Sequence, residues 1–159
     1  MIQTAEIKTV SEVAGFNMPS EIAEFNMQRE TARFNMIEQQ IRTWEVLDPV
    51  VLALLNEIPR EHFVPAEYQG LAFADIEIPI GAGQTMLSPK LEGRILQALN
   101  VQNTHHVLHI GTGSGYVTAL LASLAKHVTS VEMNADLSAK AAQNLAKHTI
   151  QNEIGRAHV

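Results

Sequence analysis

Three glycines alternate in Gly111-Thr112-Gly113-Ser114-Gly115, directly after the apolar run Val107–Ile110 and directly before a helical pattern that opens at Tyr116. Glycine lets the backbone take positive φ and lets a ligand come close where a Cβ would collide, while the start of the following helix offers unpaired N–H groups to an anionic or polar group. An acid, Glu132, ends the next apolar run. A turn of this kind, with a carboxylate at the end of the neighbouring strand, is equipped to hold a nucleotide-type cofactor.

The spacing separates two such cofactors. A dinucleotide fingerprint has the form G-x-G-x-x-G, its third glycine seating the helix against the strand. Here the third glycine comes one residue early and Tyr116 follows it. G-x-G-x-G with an acid at the end of the second strand is the pattern of S-adenosylmethionine (SAM) methyltransferases, in which the acid accepts hydrogen bonds from both ribose hydroxyls. Gly111, Thr112, Gly113, Gly115 and Glu132 are therefore the expected cofactor-binding residues. NAD is the competing cofactor, and a glycine-rich turn without a ligand is the plain structural alternative.

Composition narrows the setting. The chain has 159 residues, the size of about one domain, with 46% hydrophobic and 18% charged residues and a net charge of −6. A nucleic-acid partner is not expected, because no basic patch is visible. Cysteine is absent, which excludes disulfides and thiolate zinc sites and fits a reducing, cytoplasmic setting. No apolar stretch approaches the roughly 20 residues of a membrane span, and the N-terminus does not read as a secretion signal. The histidines suggest no metal site: His105 and His106 adjoin and point to opposite faces of a strand, His127 and His148 read as isolated near element ends, and H-E-x-x-H is absent.

The elements that must position the loop are legible in outline. Three copies of a nine-residue unit, 11–19, 20–28 and 29–37, carry Phe16-Asn17-Met18, Phe25-Asn26-Met27 and Phe34-Asn35-Met36 near the start of the chain. On a helix, nine steps put Phe25 opposite Phe16 and Phe34, so the repeat builds no single apolar stripe, and residues 1–30 are read as a mobile or loosely helical extension left by sequence duplication. From Thr31 the pattern Phe34, Ile37, Ile41, Val46 predicts an amphipathic helix ending near Trp44. Asp48-Pro49 predicts a helix start with Val50, Val51, Leu54 and Leu55 buried. Arg60–Val64 reads as a connector between Pro59 and Pro65, and Ile76–Ile80 as a short extended segment. Helices are expected over 89–99, 116–125 and 135–147, with strands over 106–110 and 128–132. This alternation predicts an α/β fold, the opening of a doubly wound parallel sheet behind an N-terminal helical region.

Val64-Pro65, then Pro79-Ile80-Gly81-Ala82-Gly83-Gln84-Thr85, then Ile110–Tyr116 occur in the order found in protein-L-isoaspartate O-methyltransferases, and the chain resembles that family from about Ala32 to Asn152. The resemblance implies a truncated Rossmann-like SAM-dependent methyltransferase fold. It also implies methylation of isoaspartyl carboxylates in damaged proteins and peptides, by a monomer. A carboxylate is already ionised at neutral pH, so catalysis in such a family rests mainly on positioning and desolvation. Gln84, Thr85 and their neighbours would orient the acceptor, which makes Thr85 and Ser88 the expected catalytic residues.

Two departures from the family's pattern matter. Leu87 stands at the place of the family serine, with Ser88 one position later, and His109 stands where an acid precedes the glycine loop. Neutral imidazole can replace a hydrogen bond but supplies no negative charge. A non-catalytic SAM-binding or interaction module is the resulting alternative. The last residues, Glu153–Val159, match the translation of a common sequencing-adapter DNA, so 153–159 is expected to be a non-native tail. Native sequence would then end near Asn152, and the chain is expected to be an inactive fragment with residues 31–152 as its folded part.

Overall fold

In the computed structural model, residues 18–148 and 153–156 are described. The chain divides into two compact units after Ala32. The described part of the first is helical, belonging to α1 (Met18–Asn35), and Phe25 and Met27 on it are exposed. A nine-residue period cannot line up one buried face, and Ile22, Phe25, Met27 and Phe34 on this helix are all exposed.

In the second unit the chain passes through a π-helical turn, Met36–Ile41, and a short 3-10 turn, Arg42–Trp44. The predicted amphipathic face holds at Ile37, Ile41 and Val46, which are buried, and is corrected at its start: Phe34 is 61% exposed and Met36 is buried instead. A π turn holds more residues per turn than an α-helix, so it rotates the side chains after it, and the straight 3.6-residue extrapolation fails at this point. α2 (Pro49–Glu57) starts as expected, with the Asp48 side chain accepting from Val50 N at 2.8 Å and Val51 N at 3.2 Å. Its buried residues are Val51, Leu52 and Leu55, and Val50 faces solvent, one step round from the expected stripe.

Two 3-10 turns, Arg60–His62 and Ala66–Leu71, lead to an antiparallel hairpin that periodicity did not reveal. Its strands are β1 (Ile78–Gly81) and β2 (Gln84–Met86), joined by Gly81, Ala82 and Gly83, all at positive φ. α3 (Pro89–Leu99) follows with proline in its first turn.

The remaining elements form the α/β part: β3 (His106–Ile110), α4 (Tyr116–Leu124), β4 (His127–Glu132), α5 (Ala135–Lys147) and β5 (Glu153–Arg156). β3 and β4 pair in parallel from His106↔His127 to Ile110↔Val131, and β4 and β5 pair in parallel from Thr129↔Glu153 to Glu132↔Arg156, giving the order β3-β4-β5. The backbone of Glu153–Arg156, expected to lie in a non-native tail, thus runs as a third strand. Residues 149–152 and 157–159 lie outside the described residues. A continuous apolar core joins the π turn, α2, β1, α3, α4, β4 and α5. Among the described residues, β3 is an edge strand whose Leu108 and Ile110 are 63% and 76% exposed. No helix among them is long and apolar enough to cross a membrane.

Candidate cofactor site

The glycine loop lies where a ligand of a parallel α/β sheet is expected, beyond the carboxyl ends of β3 and β4. Gly111, Gly113 and Gly115 have φ of +88°, +56° and +91°. A Cβ at Gly111 would meet nothing within 4 Å, so open space begins at that backbone. Gly115 is different. Its missing Cβ faces Leu145 Cγ at 3.3 Å and the carbonyl of Ala141 at 3.4 Å, which lets α5 pack directly against the loop. The outer glycines therefore have separate uses, one toward the cleft and one toward the neighbouring helix.

The loop's N–H groups are mostly engaged inside the protein, contrary to the expectation of an open anion cradle. Gly111 and Thr112 donate to Val131 O at 2.8 and 3.3 Å, Gly115 donates to Thr112 O at 2.9 Å, and Tyr116 N lies 3.3 Å from Ser114 Oγ. Gly113 N–H donates to Glu132 Oε2 at 3.0 Å, while Asn134 N–H donates to Glu132 Oε1 at 2.9 Å. Only 9% of Glu132 is exposed. Each carboxylate oxygen has lone-pair capacity beyond one such bond, so the group can still accept from hydroxyls while bracing the loop. The Thr112 side chain is unavailable to a ligand, because its buried hydroxyl lies 2.6 Å from Ser130 Oγ.

Ser130 belongs to a polar network beneath the loop. His109 Nδ1 lies 2.9 Å from Thr118 Oγ1 and 3.2 Å from Ser130 Oγ. Burial holds the His109 imidazole below its ordinary value, with Glu132 opposing, so a neutral ring with defined hydroxyl partners is favoured. The structure thus gives His109 a hydrogen-bonding place at the position where the family pattern has an acid.

Gly111, Gly113, Glu132, Thr85, Gln84 and Ile80 line one cleft of about 460 Å³. The structure brings Thr85 to this cleft together with the predicted cofactor residues Gly111, Gly113 and Glu132, while Thr112 and Gly115 do not line it. The Thr85 hydroxyl donates to Glu77 Oε2 at 2.9 Å. Ser88 is not brought there. It is buried at the N-terminus of α3, where its carbonyl accepts from Leu91 N and Glu92 N. A second cleft of about 290 Å³, lined in part by Leu87, Glu92, His109 and Val117, adjoins the other side of the loop.

Sequence reasoning missed the buried ion pair behind this region. Arg60, read only as part of a connector, is 1% exposed and pairs with Glu92 on α3. Burial raises the Glu92 carboxyl to about 7 against the lowering effect of Arg60. Burial also raises the Tyr116 phenol. The only advance signal was a charged pair between two prolines, which most often marks a solvated turn.

The histidine reading is corrected as well. His148 is not isolated: its Nε2 lies 3.3 Å from His62 Nδ1, and its ring stacks on Phe63. His127 lies across the sheet from His106. Both contacts join residues far apart in sequence, which spacing cannot show. Among the described residues no group of three or more His, Cys, Asp or Glu side chains is placed to hold a metal ion.

The sequence model of the protein-L-isoaspartate(D-aspartate) O-methyltransferase family matches residues 31–157. The chain is 45% identical over 111 residues to the protein-L-isoaspartate O-methyltransferase of Rhodopseudomonas palustris strain CGA009, covering 70% of this chain and 51% of that protein. It is 44% identical over 111 residues to the one of Methanoculleus marisnigri, covering 70% and 50%. The chain therefore spans about half the length of the curated relatives it matches. Among solved structures, a protein-L-isoaspartate O-methyltransferase superposes with a TM-score of 0.61 at 24% identity, over 81% of this chain and 41% of that one. A Plasmodium falciparum protein named for the same activity, solved with S-adenosyl-L-homocysteine, superposes with a TM-score of 0.64 at 19% identity, over 82% and 62%. These two likenesses establish the Rossmann-like α/β fold.

Proposed function

The chain belongs to the protein-L-isoaspartate(D-aspartate) O-methyltransferase family, and from that premise we propose that it carries the cofactor-binding part of a SAM-dependent methyltransferase acting on isoaspartyl carboxylates of proteins and peptides in the cytoplasm. One observation carries the choice of cofactor: the Glu132 carboxylate is bonded to the glycine loop through Gly113 N–H. A dinucleotide's pyrophosphate needs free N–H donors at the glycine turn and the helix start. Here the donors of Gly111, Thr112, Gly113, Gly115 and Tyr116 are engaged and a carboxylate stands among them. Such a loop suits a ligand that donates hydroxyl hydrogens and carries positive charge.

SAM fits these residues by that test. Gly111 offers open backbone, Glu132 offers acceptors for the ribose hydroxyls, and Gly113 lines the same cleft. When bound, SAM supplies a methyl group on a sulfonium centre. The protein's own task is then to place an already ionised acceptor and exclude water. Thr85 is the hydroxyl best placed to orient that acceptor, because it lines the same cleft and its one proton can turn from Glu77 to the incoming carboxylate.

A second reading, a SAM-binding module without transfer, is favoured by Leu87 at the serine position and by Ser88 being buried at a helix start. The two are separated by offering labelled SAM with an isoaspartyl peptide and its normal aspartyl twin, to this chain and to the chain extended by the coding sequence downstream of Asn152. Transfer to the isoaspartyl peptide alone, by the extended chain, supports the enzyme. Saturable binding with no transfer by either supports the module. No binding by either contradicts both.

A further inference from the structure

The guanidinium of Arg60 touches four residues from three separate stretches of the chain. Nε donates to Ala72 O at 2.8 Å, Nη2 donates to Leu87 O at 2.7 Å, and Nη1 pairs with the Glu92 carboxylate. Its centre lies 5.4 Å from the centroid of the Tyr116 ring. Leu87 follows Thr85 by two residues, directly after the hairpin that faces the cleft, and Tyr116 is the residue directly after Gly115 of the glycine loop.

A fully buried charge is costly unless it is paired, and an apolar side chain of similar size would fill the same space with less penalty. The fork of a guanidinium, by contrast, fixes several acceptors in one plane and can lie over an aromatic face, which the point charge of lysine cannot do. Here the fixed acceptors include the backbone of the acceptor segment, and the aromatic face belongs to the first residue of the helix that follows the loop. Movement of either segment relative to the other must break a contact of Arg60.

We infer that Arg60 is a positioning residue that couples the Thr85–Ser88 acceptor segment to the glycine loop. The inference rests on the reading of that loop as the SAM site, but its mechanical part stands apart from it. Through Leu87 O the guanidinium sets where the hairpin ends. Through Tyr116 it senses how the loop is seated. Ligand binding at the loop is then felt at residues 84–92.

Hydrogen–deuterium exchange on the full chain, with and without S-adenosyl-L-homocysteine, tests this. In the unchanged protein the ligand slows exchange at 111–119 and also at 84–92. In Arg60→Lys the slowing at 84–92 is lost while that at 111–119 persists with affinity within about threefold, and ligand-free exchange at 84–92 rises at least about tenfold with 127–132 unchanged. A general loss of fold would raise exchange everywhere, so Tyr116→Leu and Tyr116→Phe provide a second route. The first removes the ring contact and the coupling, and the second keeps the ring and restores it. Persistence of the ligand effect at 84–92 in both Arg60→Lys and Tyr116→Leu overturns the inference. If the ligand has no effect anywhere in the unchanged protein, the SAM reading fails instead. The ligand-free comparison then decides: selective acceleration at 84–92 sustains the tie and none overturns it.

Discussion

The two outer glycines of the loop should fail in different ways when each is replaced by alanine. Gly115 has φ +91°, and an added Cβ would stand 3.3 Å from Leu145 Cγ and 3.4 and 3.5 Å from backbone atoms of Ala141. Left-handed backbone costs an ordinary residue about 1–2 kcal/mol. The 3.3 Å approach to Leu145 Cγ overpacks the loop against α5 and adds about 1–3 kcal/mol, the Ala141 distances being ordinary van der Waals contacts. Gly115→Ala is therefore expected to lose about 2–5 kcal/mol of stability. Gly111 has φ +88° but no atom within 4 Å of the added methyl, so it carries only the backbone cost of about 1–2 kcal/mol. At about 2–4 °C per kcal/mol for a chain of this size, melting midpoints fall by roughly 2–8 °C for Gly111→Ala and 4–20 °C for Gly115→Ala. Ligand binding should show the reverse order. Gly111 lines both clefts beside the loop and Gly115 lines neither, so Gly111→Ala weakens S-adenosyl-L-homocysteine by at least about tenfold, the cost of about 1.4 kcal/mol, while folded Gly115→Ala stays within about threefold. Scanning calorimetry and titration calorimetry on the two variants provide both readouts. Equal stability losses, or weaker binding by Gly115→Ala than by Gly111→Ala, would refute the division of roles.

Other expectations follow from the same geometry. Glu132→Gln keeps the shape but faces an amide NH₂ toward the N–H of Gly113 or Asn134, so denaturant titration should show a loss of about 1–3 kcal/mol together with weaker ligand binding. Asp48→Ala removes the N-cap of α2 and should cost about 1 kcal/mol in the same assay. Burial depresses the His109 imidazole below its ordinary 6.5, so as pH falls below that value the unfolded chain takes up the proton first and the fold loses stability. The melting midpoint should decline as pH falls below about 6.5, and His109→Gln should make that decline shallower. An unchanged slope in that variant would remove His109 from the account.

Much of the α/β part was legible because its signals are local. α3, β3 and α5 occur at the residues expected, each bounded by a proline, a glycine loop or an asparagine cap that acts within a turn of itself. The cofactor residues Gly111, Gly113 and Glu132 meet in space because the end of one parallel strand necessarily lies beside the end of the next. What was illegible depends on register or on distance. One π turn moved the buried face from Phe34 to Met36, an offset no periodic extrapolation contains. The β1–β2 hairpin is built from strands of four and three residues, too short to show alternation. Ser88 looked available as a hydroxyl beside a proline, yet that proline starts the helix that buries it. Arg60 and Glu92 are 32 residues apart, and nothing in either neighbourhood marks them as partners.

The central claim is that a loop braced by Glu132 holds a sulfonium nucleoside and not a dinucleotide. Titration calorimetry of this chain with S-adenosyl-L-homocysteine and, separately, with NADH tests it most directly. Saturable one-to-one binding of the first and none of the second is the predicted result, with binding lost in Glu132→Ala. Binding of NADH in preference to S-adenosyl-L-homocysteine would contradict it.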